Sequence, residues 1–208
     1  MTFSEQLKFS GSAPTDYAVT LAEVKSQLSI AHSDEDTFLS SLIMTACAYA
    51  ERITNRSLIS RSWELLTDFP CGDGPDAAIT LPISPVISVA SVTYYDADGN
   101  STVLAGSSYI SQTGDRAALY PSGNVSWPTT SADRLHPVSV VFVAGYDGTA
   151  DSPVDLTNIP EPIRQAILLH IAHLYENREA VMFGRSIEAI ALPFGYDALI
   201  EPYRVKGF

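Results

Sequence analysis

The chain is short of cysteine, of histidine and of positive charge, and it contains no long apolar run. Each shortage closes off a class of function. The two cysteines, Cys47 and Cys71, make neither a disulfide framework nor a metal-ligand spacing, a usage that fits a reducing, cytosolic birthplace. Nowhere do the roughly 18–20 consecutive apolar residues of a membrane span occur. The opening MTFSEQLKFSGSAPTD has no basic stretch leading into an apolar core, so neither anchor nor secretion signal is expected. Twelve Lys and Arg stand against 24 Asp and Glu, a formal net charge of −12. Such a surface repels phosphate and argues against a protein that grips nucleic acid by releasing counterions.

The usual signatures of catalysis are missing too. There is no G-x-S-x-G elbow, no P-loop and no G-x-G-x-x-G after a strand. His170 and His173 stand three apart with Glu176 three further on, but a zinc-protease helix needs HExxH, and Ile171 occupies the place of its glutamate. The run Asp96 to Asn100, DADGN, opens like a calcium loop, yet the twelfth position holds Ser107 instead of glutamate, so a hairpin turn is expected. Cys47 falls on the apolar face of a helical pattern and reads as core. Trp63 and Trp127 are either core or a stacking surface for a sugar. From these residues no enzyme, no metal and no cofactor is expected.

What is present is 46% hydrophobic residues in 208, ample for a core. Thr20-Leu-Ala-Glu23 is a capping box opening a short helix to about Ile30. Ser33 to Asp36 stacks acids on the start of a second helix, and Phe38, Leu39, Leu42, Ile43, Ala46, Tyr49, Ala50 and Ile53 then recur at three and four until about Asn55. After Ser57 the texture becomes short β-branched and aromatic runs separated by CGDGPD, DADGN, PSGN and GYDG, which predicts one antiparallel β region of about six strands. Asp151 to Asn158 reads as a linker. In PEPIRQAILLHIAHLYENRE, Pro160 or Pro162 suits the first helical position, and Ala166 to Tyr175 is apolar around most of the circumference, which predicts burial on several sides. Phe194 to Tyr203 gives a last short helix before a free basic tail.

The order helix, helix, strands, helix, helix predicts an α+β fold: a small helical bundle, from N-terminal and C-terminal helices, with an inserted antiparallel β region. The divisions are 1–56 for the N-terminal helices, 57–158 for the β insert, and 159–208 for the C-terminal helices and tail. Negative charge is concentrated in the middle, since residues 57–160 hold 11 acids and 3 bases. That serves solubility, and it would also keep a surface from sticking to DNA that must slide past.

TLAEVKSQL, DEDTFLSSLIMTACAYAERITNRSL, Trp63, ITLPISPVISVASVTYYDADGN, Trp127-Pro128, VSVVFVAGYDG, PEPIRQAILLHIAHLYENRE and PYR, in that order, resemble the gp6-like phage head-tail connector (adaptor) proteins, in their longer form with a β insertion. The resemblance runs from about residue 19 to 205. It implies a structural subunit, about twelve copies of which form a homo-oligomeric ring. The ring would sit under the portal protein of a phage or gene transfer agent particle assembled in the bacterial cytoplasm, with a stopper or tail protein below. Double-stranded DNA would pass through without specific binding, and no membrane is involved. Docking to the portal falls on Pro202, Tyr203, Arg204, Val205, Lys206 and Phe208. The aromatic and polar end of the long C-terminal helix, His173, Tyr175, Glu176 and Arg178, has the residue types of a subunit interface. Two other readings stay open: a carbohydrate- or protein-binding β module using Trp63 or Trp127, and a metal-dependent hydrolase using His170 and His173.

Overall fold

The computed structural model describes residues 6–10, 16–71, 77–123, 126–146, 155–177, 181–182, 188–189 and 194–205. Two helices precede the β insert, α1 (Leu21–Leu28) and α2 (Asp36–Thr54), and two follow it, α3 (Glu161–Glu176) and α4 (Phe194–Ile200). The capping box starts α1 as expected: Glu23 N donates to Thr20 Oγ1 at 3.3 Å, and Thr20 N donates to Glu23 Oε2 at 2.7 Å. Left-handed residues end the first two helices, Ser29 (φ 56°) after α1 and Asn55 (φ 54°) after α2. Lys25 Nζ bonds Asp36 Oδ1 at 2.8 Å and ties α1 to the first turn of α2.

The three- and four-residue spacing of α2 buries Leu39, Ile43, Ala46, Cys47 and Ala50 against Ile163, Ala166, Ile167 and Ile171 of α3, with Tyr196 and Ile200 of α4 closing the cluster. Two expectations for α3 need correction. Pro160 is its N-cap, Glu161 is the first helical residue and Pro162 the second, where a missing N–H still costs nothing. Burial is also graded along its length. Ile163 to Ile171 includes the buried residues, whereas Ala172 to Tyr175 are only half-buried.

The β insert differs from a single region of about six strands. Among the described residues it has seven, in two antiparallel sheets: β2 (Arg61–Thr67), β3 (Ile79–Thr80), β4 (Val86–Tyr95), β5 (Ser101–Val103), β6 (Tyr109–Gln112), β7 (Ala118–Pro121) and β8 (Val138–Ala144). An eighth strand, β1 (Gln6–Phe9), comes from the N-terminal segment, so the five-stranded sheet runs β1-β2-β8-β4-β5 beside a smaller sheet β3-β7-β6. Nothing in QLKF marks it as a strand, because its pairing with β2 supplies the structure that its own pattern lacks. β8 lies central and alternates strictly, turning Val138, Val140, Phe142 and Ala144 into a second core with Leu65, Val92, Leu119 and Trp127. Two further short strands, β9 (Val181–Met182) and β10 (Glu188–Ala189), pair with each other.

The insert leaves the helical unit after α2 and returns after β8, and the two crossings lie side by side. Tyr146 N donates to Leu58 O at 3.4 Å, and Gly145 N donates to Pro85 O at 2.9 Å. Gly145 has φ +155°, and a Cβ built there would meet the Ser60 Cα and N at 2.4 Å. Only glycine lets the outgoing and returning strands pass this closely. Gly145→Ala is expected to destabilise the chain by at least about 2 kcal/mol, read as a lower urea midpoint. An unchanged midpoint would show that the crossing is loose.

Candidate functional site

The C-terminal end of α2, the start of the insert and the C-terminus of the chain meet around Arg56, which is 8% exposed. Its Nη1 and Nη2 bond Asp115 Oδ1 and Oδ2 at 2.6 and 3.2 Å, and its Nε donates to Tyr203 O at 2.7 Å. The guanidinium also lies over the Tyr146 ring at 5.8 Å. Burial works against this charge, but the Asp115 hydrogen bonds and the Tyr146 and Asp115 interactions outweigh it, so the Arg56 pKa is raised. The same hydrogen bonds hold the Asp115 carboxyl below its ordinary value. Burial pushes the Tyr146 phenol up to about 12. Ser84 joins the group, its Oγ donating to Asp115 O at 2.7 Å.

The C-terminal segment is anchored on this group. Val205 N donates to Thr54 O at 3.0 Å and Val205 O accepts from Asn55 Nδ2 at 3.3 Å, while Tyr203 packs on the helical core. Arg204 pairs with Glu201 at 3.0 Å and Asp197 at 3.6 Å, and Pro202 is exposed. Arg204 and Val205 are therefore not a free tail, a correction that could not come from sequence because the bonds that hold this segment span about 150 positions. Lys206 and Phe208 lie outside the described residues. Arg56 and Asp115 escaped notice in the sequence, since one Arg after a helix and one Asp in a turn carry no local signal of pairing.

At the end of α3, Tyr175 donates its hydroxyl to Glu35 Oε2 at 2.6 Å and tilts its ring on Phe38, which fastens this end of α3 to the start of α2. The His173 carbonyl accepts from the backbone of Asn177 at 3.0 Å and from its Nδ2 at 2.9 Å. His173 is half-buried and Glu176 exposed, so both reach the surface, and Arg178 lies outside the described residues. His170 turns the other way. It sits 6% exposed between Tyr49 and Tyr196, at ring separations of 5.0 and 5.4 Å, with Nδ1 unbonded. Burial, followed by the neighbouring His173, lowers its pKa and keeps it neutral.

The chemistry-bearing alternatives land in packing. Trp127 is 8% exposed, donates Nε1 to Ala77 O at 2.7 Å and stacks on Phe69 at 4.8 Å, which leaves no open face for a sugar. Trp63 packs on the β core with Phe9 edge-on at 5.8 Å. Asp96 Oδ1 accepts from the N–H groups of Asp98 and Asn100 at 3.0 and 2.9 Å, which makes DADGN a hairpin turn with Gly99 at φ +81°. Cys47 lies in the helical core, where burial pushes its thiol up to about 12. Among the described residues no three His, Cys, Asp or Glu side chains gather as a metal site, and no helix is long and apolar enough to cross a membrane.

Residues 18–113 match the family described as phage gp6-like head-tail connector protein. Over nearly its whole length the chain is similar to solved structures. A chain in the neck of an empty GTA particle, computed with C6 symmetry, is 29% identical with a TM-score of 0.72, over 98% of this chain and 97% of that one. The corresponding figures for the neck of a native GTA particle with C12 symmetry are 29%, 0.71, 98% and 97%. For a chain in the virion of a native gene transfer agent particle they are 28%, 0.72, 97% and 96%. No curated protein matches the chain.

Asp115→Ala leaves the Arg56 charge without its main partner and is expected to cost about 1–3 kcal/mol, read by chemical denaturation. A change within error would mean that Tyr203 O and Tyr146 suffice. His170 gives a pH dependence. Its folded pKa lies below its unfolded value, so protonation favours the unfolded chain, and stability should fall as pH drops below about 6.5. His170→Gln is expected to flatten the stability slope between pH 7 and 5, and an unaltered slope would assign it to other groups.

Proposed function

We propose that this chain, whose residues 18–113 match the phage gp6-like head-tail connector family, forms a ring of identical copies in the neck of a phage-like particle. It is a structural connector subunit. The observation that carries the ring is likeness across 98% of the chain to neck chains of particles with C6 and C12 symmetry, at 29% identity. In the proposed arrangement about twelve copies surround the DNA path, with the portal protein above, a stopper or tail protein below, and assembly in the bacterial cytoplasm. The role needs no catalysis. The division at 1–56, 57–158 and 159–208 then separates the N-terminal helices of the bundle, the insert, and the C-terminal helices with the docking segment.

Pro202 to Phe208 remains the proposed portal contact, with one refinement that the anchoring of Val205 supports. Tyr203 to Val205 act as a mount fixed to the bundle, and Lys206 and Phe208 are assigned the contact with the portal. His173, Glu176 and Arg178 are assigned to the subunit boundary, while Tyr175 first serves its own chain through Glu35. The acidic insert is assigned a non-adhesive role toward DNA.

The test is light scattering and electron microscopy of the purified chain, alone and mixed with the portal protein of the same particle. A ring or a portal-bound complex is expected, and a chain that stays monomeric and ignores the portal would remove the connector reading. Truncation after Val205 keeps the anchoring bonds, so it is expected to leave thermal unfolding unchanged while portal binding weakens by about tenfold or more. Undiminished binding would move the contact away from Lys206 and Phe208.

A further inference from the structure

We infer that neighbouring copies join by continuing the five-stranded sheet, with β5 of one copy lying parallel to β1 of the next. This rests on the ring proposed above and names the contact that would hold it. A cyclic ring needs two different, mutually fitting surfaces on each copy. The two edges of one sheet, β1 and β5, are such a pair.

Among the described residues, neither edge has its outward backbone groups bonded by the chain itself. Asp96 N bonds Asn100 O at 3.0 Å and Leu104 N bonds Val92 O at 2.8 Å. Asn100, Thr102 and Leu104 therefore turn their backbone groups toward β4, and the alternation of an antiparallel ladder turns those of Ser101 and Val103 outward. On the other edge Ser10 N bonds Ser62 O at 3.0 Å, which places Lys8 and Gln6 on the β2 side and turns Leu7 and Phe9 outward.

The edges mix polar side chains, Gln6, Lys8 and Ser101, with apolar ones left open: Leu7 36%, Phe9 39% and Val103 68% exposed. Sheet edges are ordinarily guarded by charge or proline. From Gly99 to Gly114 there is no charged residue and no proline, although this stretch lies in the most acidic part of the chain.

Direction and facing both agree with a parallel contact. Each step along β1-β2-β8-β4-β5 is antiparallel, and four reversals make β1 and β5 parallel to each other. A head-to-tail repeat of the sheet therefore sets β5 parallel to the next β1. In the register that sets the outward groups of Leu7 and Phe9 around Val103, Val103 would exchange bonds with both residues of the next copy, and its side chain would lie beside that copy's Lys8. Leu7 and Phe9 are opposite Leu65 and Trp63 on the core side of the sheet, so Lys8 is on the other side. Val103 also points away from the core, since its neighbour Leu104 points in. The shared face matches, and the β cores of successive copies stay on the same side.

The experiment is a cysteine cross-link, K8C with V103C, in a Cys71→Ser chain, because Cys71 is exposed and Cys47 buried. Within one chain the two edges are four strand spacings apart, about 19 Å, beyond the roughly 7 Å between Cα atoms that a disulfide can bridge. Oxidised portal-bound rings are expected to run as a covalent ladder on a denaturing, non-reducing gel, and each single-cysteine variant as monomer. Rings visible by microscopy that give no ladder would overturn the sheet contact and leave the ring intact. If the Cys71→Ser chain forms no ring on the portal, the ring and this contact fall together. V103K provides a second readout: monomer melting should be unchanged and ring yield should fall about tenfold, and an undiminished yield would also overturn the contact.

Discussion

A guanidinium as buried as that of Arg56 has to be met by partners, because an unpaired charge away from water costs several kcal/mol. Its partners come from three places. Asp115 belongs to the turn between β6 and β7, Tyr146 to the return from the insert, and the Tyr203 carbonyl to the C-terminus. Moving the insert against the helices, or peeling the C-terminus away, strands the same charge. The close passage of Gly145 over Ser60 restricts the crossing sterically, and Arg56 fixes it electrostatically. An insertion held by two chain crossings thereby acquires a defined orientation, which a subunit repeating around an axis requires.

The two cores contribute differently to such a subunit. In the helical unit burial is dense where α2 faces the first half of α3 and thins toward Tyr175, so this end depends on the Tyr175 to Glu35 bond and the Phe38 contact. In the insert the central strand β8 is protected on both sides by β2 and β4, and exposure is pushed to the edges β1 and β5. Buried centres with open margins suit assembly, because a neighbour can be met without ordering new backbone, a cost that would add to the translational and rotational entropy lost on association.

Helix starts and periodicity were legible because their causes are local. The Thr20 capping box, the spacing from Leu39 to Ala50 and the DADGN turn all act within a few residues. The strand runs were legible for the same reason, but their division into two sheets was not, since partner choice is a long-range matter. β1 was invisible because four mixed residues become a strand only beside β2. At the candidate site the composition of α3's end and of PYR drew attention to those two segments of chain. It could not reveal that Tyr175 is engaged by Glu35, or that Val205 is tied to Thr54 and Asn55.

That last bond alters the energetics of docking. A tail free up to Pro202 would have to order each of its residues on meeting a partner, at about 1–2 kcal/mol of backbone entropy apiece. Tyr203, Arg204 and Val205 are already ordered in the isolated subunit, by a carbonyl on Arg56, by ion pairs to Glu201 and Asp197, and by the Thr54 carbonyl. The docking segment proposed here therefore starts partly preorganised. Its fixed half also shares Arg56 with the insert, so force applied to the C-terminus by a docked partner is borne at the Asp115 pair instead of by the helices alone. That pair is partly open to solvent and sits where bundle and insert meet, so a load on the docking segment is passed to both units.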